Sequence, residues 1–194
     1  MLADLSLDII RLEAQAEHIH DELIRQCLQG NGSAYQRIYK LYSRSMYNVG
    51  YRIVNNPDEA EDVLQEAFIS AFKSLENYRG DSTFGAWLKR IVVNKALNQV
   101  SKRKFERIPE DDRWDVGEEV QKDEFEHFPF TVDKVKRAIE LLPDGYRMVL
   151  SLYLLEGYDH QEIAEIMKIT ESTSKSQFNR SKKKLKEILQ SGSV

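Results

Sequence analysis

The chain has 194 residues and a formal net charge of −4, and 41% of its residues are hydrophobic and 31% charged. This length suits one generous domain or two small ones, and the longest apolar run, Leu152 to Leu155, is too short to span a membrane. A single cysteine, Cys27, excludes an internal disulfide and fits a reducing cytoplasm, where we expect the protein to reside. Because glycine and proline are scarce and β-branched alternation is nearly absent, we predict an all-α fold.

Two helices are predicted between residues 21 and 55, because apolar side chains recur there at helical spacing. The sequence GNGS at 30–33 interrupts this pattern once and predicts the turn between the two helices. Residues 1–20 precede the pattern and are expected to form an N-terminal extension.

A third helix is predicted from its capping signals. Asn56 suits the N-cap, Pro57 the first helical position, and two acids follow in the first turn. Apolar residues at i, i+3 and i+4 leave an opposite acidic face that ends in Ile69. Such a face is consistent with ordinary solvation or with the docking of a basic partner helix. Its polar residues are Asp58, Glu61, Asp62, Gln65 and Glu66.

The segment NYRGDST (77–83) predicts a turn before the next helix. Gly80 marks the turn, and Ser82 or Thr83 can cap the helix that follows. Aromatic side chains in and after the turn could stack on unpaired bases, although a core position is favoured for Trp87. These aromatic residues are Tyr78, Phe84 and Trp87.

The helix after this turn is a candidate nucleic-acid surface. Residues 86–104 carry six bases and no acid, and Asn94, Asn98 and Ser101 fall on one outer face. Asparagine amides can pair with base edges, and lysine and arginine can hold phosphates.

Residues 105–130 form an acidic segment without helical periodicity. They hold ten acids and three bases, a net charge of −7, and they include Pro109, Gly117 and Pro129. Because basic helical stretches lie on both sides, we predict two small helical domains, 21–104 and 131–190, joined by a flexible acidic linker.

The second domain is predicted to begin with two helices. A short amphipathic helix covers 131–142, and Pro143 and Gly157 bound the next helix. Asp159 and Glu162 have the spacing of a capping box, which predicts the start of a further helix.

The last predicted helix is the strongest candidate for DNA contact. Thr170 is placed to cap it after a brief turn, and two short helices joined in this way are typical of a helix-turn-helix. Residues 171–186 carry six bases and one acid, so DNA contact is favoured over a merely solvated face. Short polar groups near its start can reach base edges, and cations further along can hold phosphates. The exposed face carries Ser172, Thr173, Lys175, Ser176, Asn179, Arg180 and Lys183.

Taken together, three segments resemble the extracytoplasmic-function (ECF) class of the sigma-70 family. DEAEDVLQEAF (58–68), FGAWLKRIVVNKALNQVSKRK (84–104) and HQEIAEIMKITESTSKSQFNRSKKKL (160–185) resemble its regions two and four, in the family's order. The resemblance covers about residues 20–188. It implies a subunit that binds bacterial core RNA polymerase, directs it to promoter DNA and aids strand opening.

By matching position, the resemblance assigns roles to these segments. The acidic face of the third helix would dock on the polymerase, residues 172–183 would enter the major groove at the −35 element, and the linker would thread toward the polymerase active-site channel. The −10 element would be bound by Asn77, Tyr78, Arg79, Asp81, Ser82, Asn94, Asn98, Lys102 and Arg103.

Two positions depart from the family's pattern. Lys168 stands in the turn where the family usually has glycine, which puts the backbone geometry of that turn in question. Ser174 stands where a valine usually packs, which predicts a less firmly seated recognition helix.

Other classes of protein are disfavoured. A helix-turn-helix regulator that acts without core polymerase would carry a ligand or phosphoacceptor domain, and no βα alternation predicts one. An enzyme would need a nucleophile, phosphate-binding or metal motif, and the histidines show only a weak His18-x-His20 spacing. We therefore expect no catalysis, cofactor or metal. Whether an anti-sigma factor is a further partner stays open.

Overall fold

The computed structural model describes residues 20–106 and 130–191, and every regular element in these ranges is helical. The first domain contains α1 (20–28), α2 (Gly32–Val54), α3 (Pro57–Lys73), a 3-10 turn (Leu75–Asn77) and α4 (Phe84–Glu106). The second contains α5 (Val132–Glu140), α6 (Asp144–Leu154), α7 (His160–Met167) and α8 (Glu171–Gln190). This arrangement confirms the predicted all-α fold with two helical domains.

The capping residues predicted from the sequence stand at the helix starts. The Asn56 side chain accepts a hydrogen bond from a first-turn N–H at 3.1 Å, and Pro57 begins α3. Asp159 and Glu162 form a reciprocal capping box at α7. The hydroxyls of Thr83 and Thr170 accept hydrogen bonds from N–H groups in the first turns of α4 and α8. Local sequence chemistry therefore sets where these helices begin.

The core of the first domain forms where α2, α3 and α4 pack together. Gly50 marks their close approach, because a Cβ at this position would lie 3.4 Å from Val63 Cγ1 and 3.7 Å from Val92 Cγ1. The apolar faces of α3 and α4 are buried in this core. Their polar faces consequently point outward along two adjacent helices.

In the second domain, α8 packs against α5, α6 and α7. The core of this domain includes three fully buried residues of α6, Val149, Leu150 and Leu152. The turn between α7 and α8 places Lys168 in the left-handed conformation, with φ of 56° and ψ of 45°. The turn thus has the backbone that glycine would favour, although a lysine occupies it.

The two domains contact each other through Arg147 of α6, whose side chain is 3% exposed. Its Nη2 donates to the Ile53 carbonyl near the end of α2 (3.2 Å) and to Asp144 Oδ1 (2.6 Å). Its Nη1 donates to the Leu142 carbonyl at 3.0 Å. Because an unpaired buried charge is costly, these acceptors hold the guanidinium in place between α6 and α2.

Glu156, in the turn after α6, extends the same contact. Its carboxylate lies between two cations of the first domain, with Oε1 3.3 Å from Arg52 Nε and Oε2 3.8 Å from Lys89 Nζ. Lys89 Nζ also donates to the Glu156 carbonyl at 2.8 Å. The next residue, Gly157, has a φ of +79°, and this left-handed turn leads the chain into α7.

Candidate polymerase- and DNA-binding surfaces

The acidic face of α3 is a continuous exposed surface. All five predicted polymerase-binding residues are exposed, because the apolar residues between them, such as Val63 and Ala67, are buried against α2 and α4. Ile69 continues this surface and is 55% exposed. An exposed isoleucine beside carboxylates suits a protein partner that offers both cations and apolar contact. The five residues are Asp58, Glu61, Asp62, Gln65 and Glu66.

The outer face of α4 borders this acidic face. Asn94, Asn98 and Lys102 are exposed on it, as predicted from helical spacing. Lys95 Nζ lies 3.6 Å from Glu66 Oε2, so one ion pair joins the two faces. A shallow groove runs between α3 and α4, lined by Asp62, Glu66, Lys95, Asn98 and Lys102 among others.

Arg103 differs from the other predicted −10 contacts, because its guanidinium is held by neighbours inside the first domain. Nη2 donates to the Val54 carbonyl at 2.6 Å and pairs with the Glu59 carboxylate. These contacts tie the end of α4 to the end of α2 and the start of α3. DNA binding by Arg103 would require it to leave both partners.

The loop before α4 is shaped by Tyr78. Its hydroxyl donates to the Ser82 carbonyl at 2.7 Å, and its ring packs edge-on against Phe84 at a centroid distance of 5.6 Å. Burial raises the pKa of Tyr78, with a smaller contribution from Asp21, so the hydroxyl stays protonated and can donate. The other loop residues that the resemblance assigns to the −10 element are exposed: Asn77, Arg79, Asp81 and Ser82.

The aromatic residues after the turn are divided between core and surface. Phe84 is 3% exposed and belongs to the hydrophobic core. Trp87 is half-buried, with its ring centroid 5.4 Å from that of Tyr78 and 5.5 Å from that of Phe84. The predicted core preference therefore describes Trp87 only in part.

Helix α8 presents the predicted −35 face outward. Ser172, Lys175 and Lys183 are exposed, and the four remaining predicted residues are partly exposed. Lys175 Nζ lies 2.6 Å from Glu171 Oε1, one turn earlier. At 56% and 51% exposure, this pair is open to exchange for a DNA partner. The four partly exposed residues are Thr173, Ser176, Asn179 and Arg180.

The buried side of α8 holds a feature that the sequence patterns did not predict. Ser174, Gln177 and Ser181 are the buried residues of this helix, and all three are polar. Ser174 Oγ lies 2.9 Å from Nδ1 of His160, the first residue of α7. The signal available in the sequence was a serine at an inward position, with a histidine directly after the capping Asp159.

None of the helices in the described part of the chain is long and apolar enough to cross a membrane. Residues 20–106 and 130–191 also contain no group of three or more His, Cys, Asp or Glu side chains that could hold a metal ion. The acidic linker lies mostly outside the described residues, and its predicted role stays a prediction.

Comparison with known proteins gives matches in both domains. Residues 38–106 match the family described as Sigma-70 region 2, and residues 133–185 match Sigma-70, region 4. The RNA polymerase sigma-H factor of Pseudomonas aeruginosa is 30% identical over 182 residues, covering 87% of this chain and 93% of the relative. The ECF RNA polymerase sigma-E factor of Haemophilus influenzae is 30% identical over 187 residues, covering 90% and 98%.

Solved structures share the fold. The sigma factor RpoE of Bartonella quintana, solved with the anti-sigma factor NepR, aligns with a TM-score of 0.55 and 22% identity over 81% of this chain and 98% of that one. CnrH, solved with the cytosolic domain of CnrY, aligns with a TM-score of 0.52 and 19% identity over 88% and 96%.

Proposed function

The chain belongs to the ECF class of the sigma-70 family, and we propose that it binds core RNA polymerase through α3 and reads promoter DNA through α4 and α8. As a sigma factor, it directs core RNA polymerase to initiate transcription at specific promoters. The residue assignment rests on the position of the exposed faces. Each predicted binding face lies within the part of the chain that matches region 2 or region 4.

We assign the polymerase to the acidic face of α3, residues 58–66, together with Ile69. We assign the −10 element to the loop 77–82 and to Asn94, Asn98 and Lys102 on α4. Arg103 is left out of this assignment because its guanidinium already holds Val54 and Glu59. These surfaces lie in the proposed domain 21–104.

We assign the −35 element to the exposed face of α8, in the proposed domain 131–190. The first three turns of α8 offer hydroxyl, ammonium and amide groups, which can reach base edges, whereas later cations meet phosphates. The proposed partners are core polymerase, promoter DNA and, as in the complex from Bartonella quintana, an anti-sigma factor. We propose that the chain has no catalytic activity of its own and that the polymerase supplies it.

Run-off transcription on a genomic fragment library tests the function. The full chain mixed with core RNA polymerase should yield transcripts whose upstream DNA shares two common sequence elements, and core enzyme alone should not. Co-purification of the chain with core polymerase should accompany this activity. Specific DNA binding without any polymerase association would instead support a helix-turn-helix regulator that acts alone.

A further inference from the structure

His160 and Ser174 connect the two helices of the helix-turn-helix. His160 is the first residue of α7, and Ser174 is the fourth residue of α8. Their side chains are joined by a hydrogen bond of 2.9 Å between Nδ1 and Oγ, and Ser174 is fully buried. This bond therefore links the start of α7 directly to the first turn of α8.

The imidazole also packs against two aromatic rings, one from α6 and one from α8. The Tyr153 ring of α6 stacks on His160 with centroids 4.5 Å apart and an interplanar angle of 17°. The Phe178 ring of α8 contacts both, at 4.5 Å from Tyr153 and 5.6 Å from His160. The His160 side chain thus contacts two other helices, α6 and α8, and its position depends on both.

Its surroundings keep the imidazole neutral. Burial lowers the pKa of His160, the Lys175 ammonium lowers it further, and Glu171 and Asp159 oppose this effect more weakly. The position at the start of α7 acts in the same direction, because helix N-termini disfavour cations. A neutral ring carries one donor and one acceptor nitrogen, and a hydroxyl can serve either, so the pair is satisfied in both tautomers.

A directed bond matters here because the buried residues of α8 are all polar, and its Phe178 ring is only partly buried where it packs against Tyr153 and His160. The buried residues are Ser174, Gln177 and Ser181, and the two serines are too small to fix the rotation of the helix by shape alone. Base-edge contacts need side chains held within about 0.5 Å and 10–20° of the productive geometry. Lys175, the first cation of the exposed face, directly follows Ser174 in the first turns of α8.

We propose that His160 is a positioning residue that sets the rotation of α8 through its bond to Ser174, and so determines which bases the helix selects at the −35 element. This inference rests on the proposed function, because it assumes that α8 reads DNA. His160 itself does not need to touch DNA. Its effect should appear in the choice among sequences and not in overall attraction to phosphates.

Selection of bound DNA by the holoenzyme tests this role. Holoenzyme assembled from the full chain and core polymerase selects duplexes randomised at the −35 position, and each variant's preference for the wild-type winner over a scrambled duplex is then measured. Ser174→Ala and His160→Leu should each reduce this preference about tenfold, the scale of one lost base contact. The double variant should fall no further than the lower single variant, because both remove the same bond.

Two controls separate positioning from general damage. His160→Asn places an amide near the former Nδ1 and should keep the preference within about twofold of wild type, since it can still bond to Ser174. Affinity for the scrambled duplex and thermal melting are measured for every variant. If His160→Leu does not fold, Ser174→Ala and His160→Asn still decide the question.

The outcomes distinguish the positioning role of His160 from the proposed role of α8 in reading DNA. Retained preference in Ser174→Ala, or equal loss on preferred and scrambled duplexes, would overturn the positioning role while α8 still reads DNA. A wild-type holoenzyme that shows no −35 preference at all would overturn the proposed role of α8, and the positioning role with it.

Discussion

Within the described ranges, Asn55 and Lys168 are the non-glycine residues with positive φ, at 52° and 56°. Each ends a helix in the left-handed conformation, and its N–H bonds back to a carbonyl of that helix. An L-residue pays roughly 1 kcal/mol or more for this backbone, and glycine pays less. The two residues differ in their side chains, because Asn55 Nδ2 also donates to the Glu140 carbonyl of the second domain at 2.9 Å.

Replacing Lys168 by glycine should stabilise the second domain by about 0.5–1 kcal/mol, after the larger unfolded-state entropy of glycine offsets part of the gain. Chemical denaturation of the full chain measures this change. Asn55→Gly is the matched control, because it relieves the same backbone but removes a hydrogen bond between the domains. A loss of stability in Lys168→Gly would show that the lysine side chain has a stabilising contact of its own.

The state of His160 predicts a dependence of stability on pH. Its folded pKa lies below the ordinary value, so the unfolded chain binds more protons once the pH falls below about 6.5. The contribution of His160 to the free energy of unfolding should therefore stay constant above that pH. It should decrease as the pH falls from about 6.5 through the lower, folded pKa. His160→Asn should decline less between pH 7 and 5, and the other three histidines are common to both proteins. Equal slopes in the two denaturation series would contradict this.

At the scale of elements, three helices carry the proposed binding faces because each has one buried and one polar side. The apolar spacing of α3 turns five polar residues outward, and α4 and α8 expose amides, hydroxyls and cations in the same way. The faces of α3 and α4 meet along one groove, whereas α8 lies in the other domain. Each face can therefore be altered without replacing core residues.

The face of α8 should contain both base-reading and phosphate-holding residues. Lys175→Ala and Asn179→Ala should each cost ~1–3 kcal/mol at the preferred −35 sequence and relax discrimination there. Lys183→Ala should weaken binding to all sequences alike. Binding of holoenzyme to preferred and scrambled duplexes measures both effects, and uniform losses in all three variants would mean that α8 only holds phosphates.

The face of α3 should be needed for assembly with the polymerase. Asp62→Lys combined with Glu66→Lys should abolish pull-down of core enzyme, because the charge now repels a basic partner surface. Helical content by circular dichroism should stay the same, since both side chains are exposed. Glu165→Lys, an exposed change on α7, serves as the control, and normal pull-down by the double variant would reject the α3 assignment.

At the scale of the whole molecule, the contact between the domains conflicts with simultaneous binding to both promoter elements. The −10 and −35 elements are about 25 base pairs apart, or ~85 Å along straight DNA. Even α2, at 23 residues, is only ~35 Å long. On the proposed function, domains joined through Arg147 and Glu156 are too close to span that distance, and we expect the contact between them to open in the promoter complex.

Removing one charge from this contact should favour the open arrangement. Glu156→Gln leaves Arg52 and Lys89 without their carboxylate, and small-angle scattering should show a larger radius of gyration than for wild type. Helical content should not change. The same substitution at exposed Glu165 should leave the radius unaltered. An unchanged radius in Glu156→Gln would show that the remaining contacts, including those of Arg147 and Asn55, suffice to hold the domains together.

The helix starts and the outward faces of the helices were predictable from the sequence because they depend on local chemistry. Caps such as Asn56 and Asp159 act within one helical turn, and helical spacing alone places Asn98 or Lys175 on an outer face. Partners distant in the chain were not predictable, because periodicity carries no information about them. Arg103 bonds to a carbonyl 49 residues earlier, and Arg147 to one 94 residues earlier. The weak seating expected from Ser174 likewise took no account of His160, whose position is set by tertiary packing.

The ion pair between Glu66 and Lys95 joins the proposed polymerase-binding face of α3 to the helix that carries the proposed DNA-binding face, α4. Lys95 directly follows Asn94, so on the proposed function DNA bound to α4 attracts the Lys95 ammonium while polymerase takes Glu66, and either partner must first separate the pair. Whichever arrives first removes that cost for the second, and each must raise the other's affinity by the same factor. For a partly exposed pair this factor is small, about fivefold at most. Through Lys95, promoter DNA should nevertheless bind somewhat more tightly to the chain when polymerase is already bound to it.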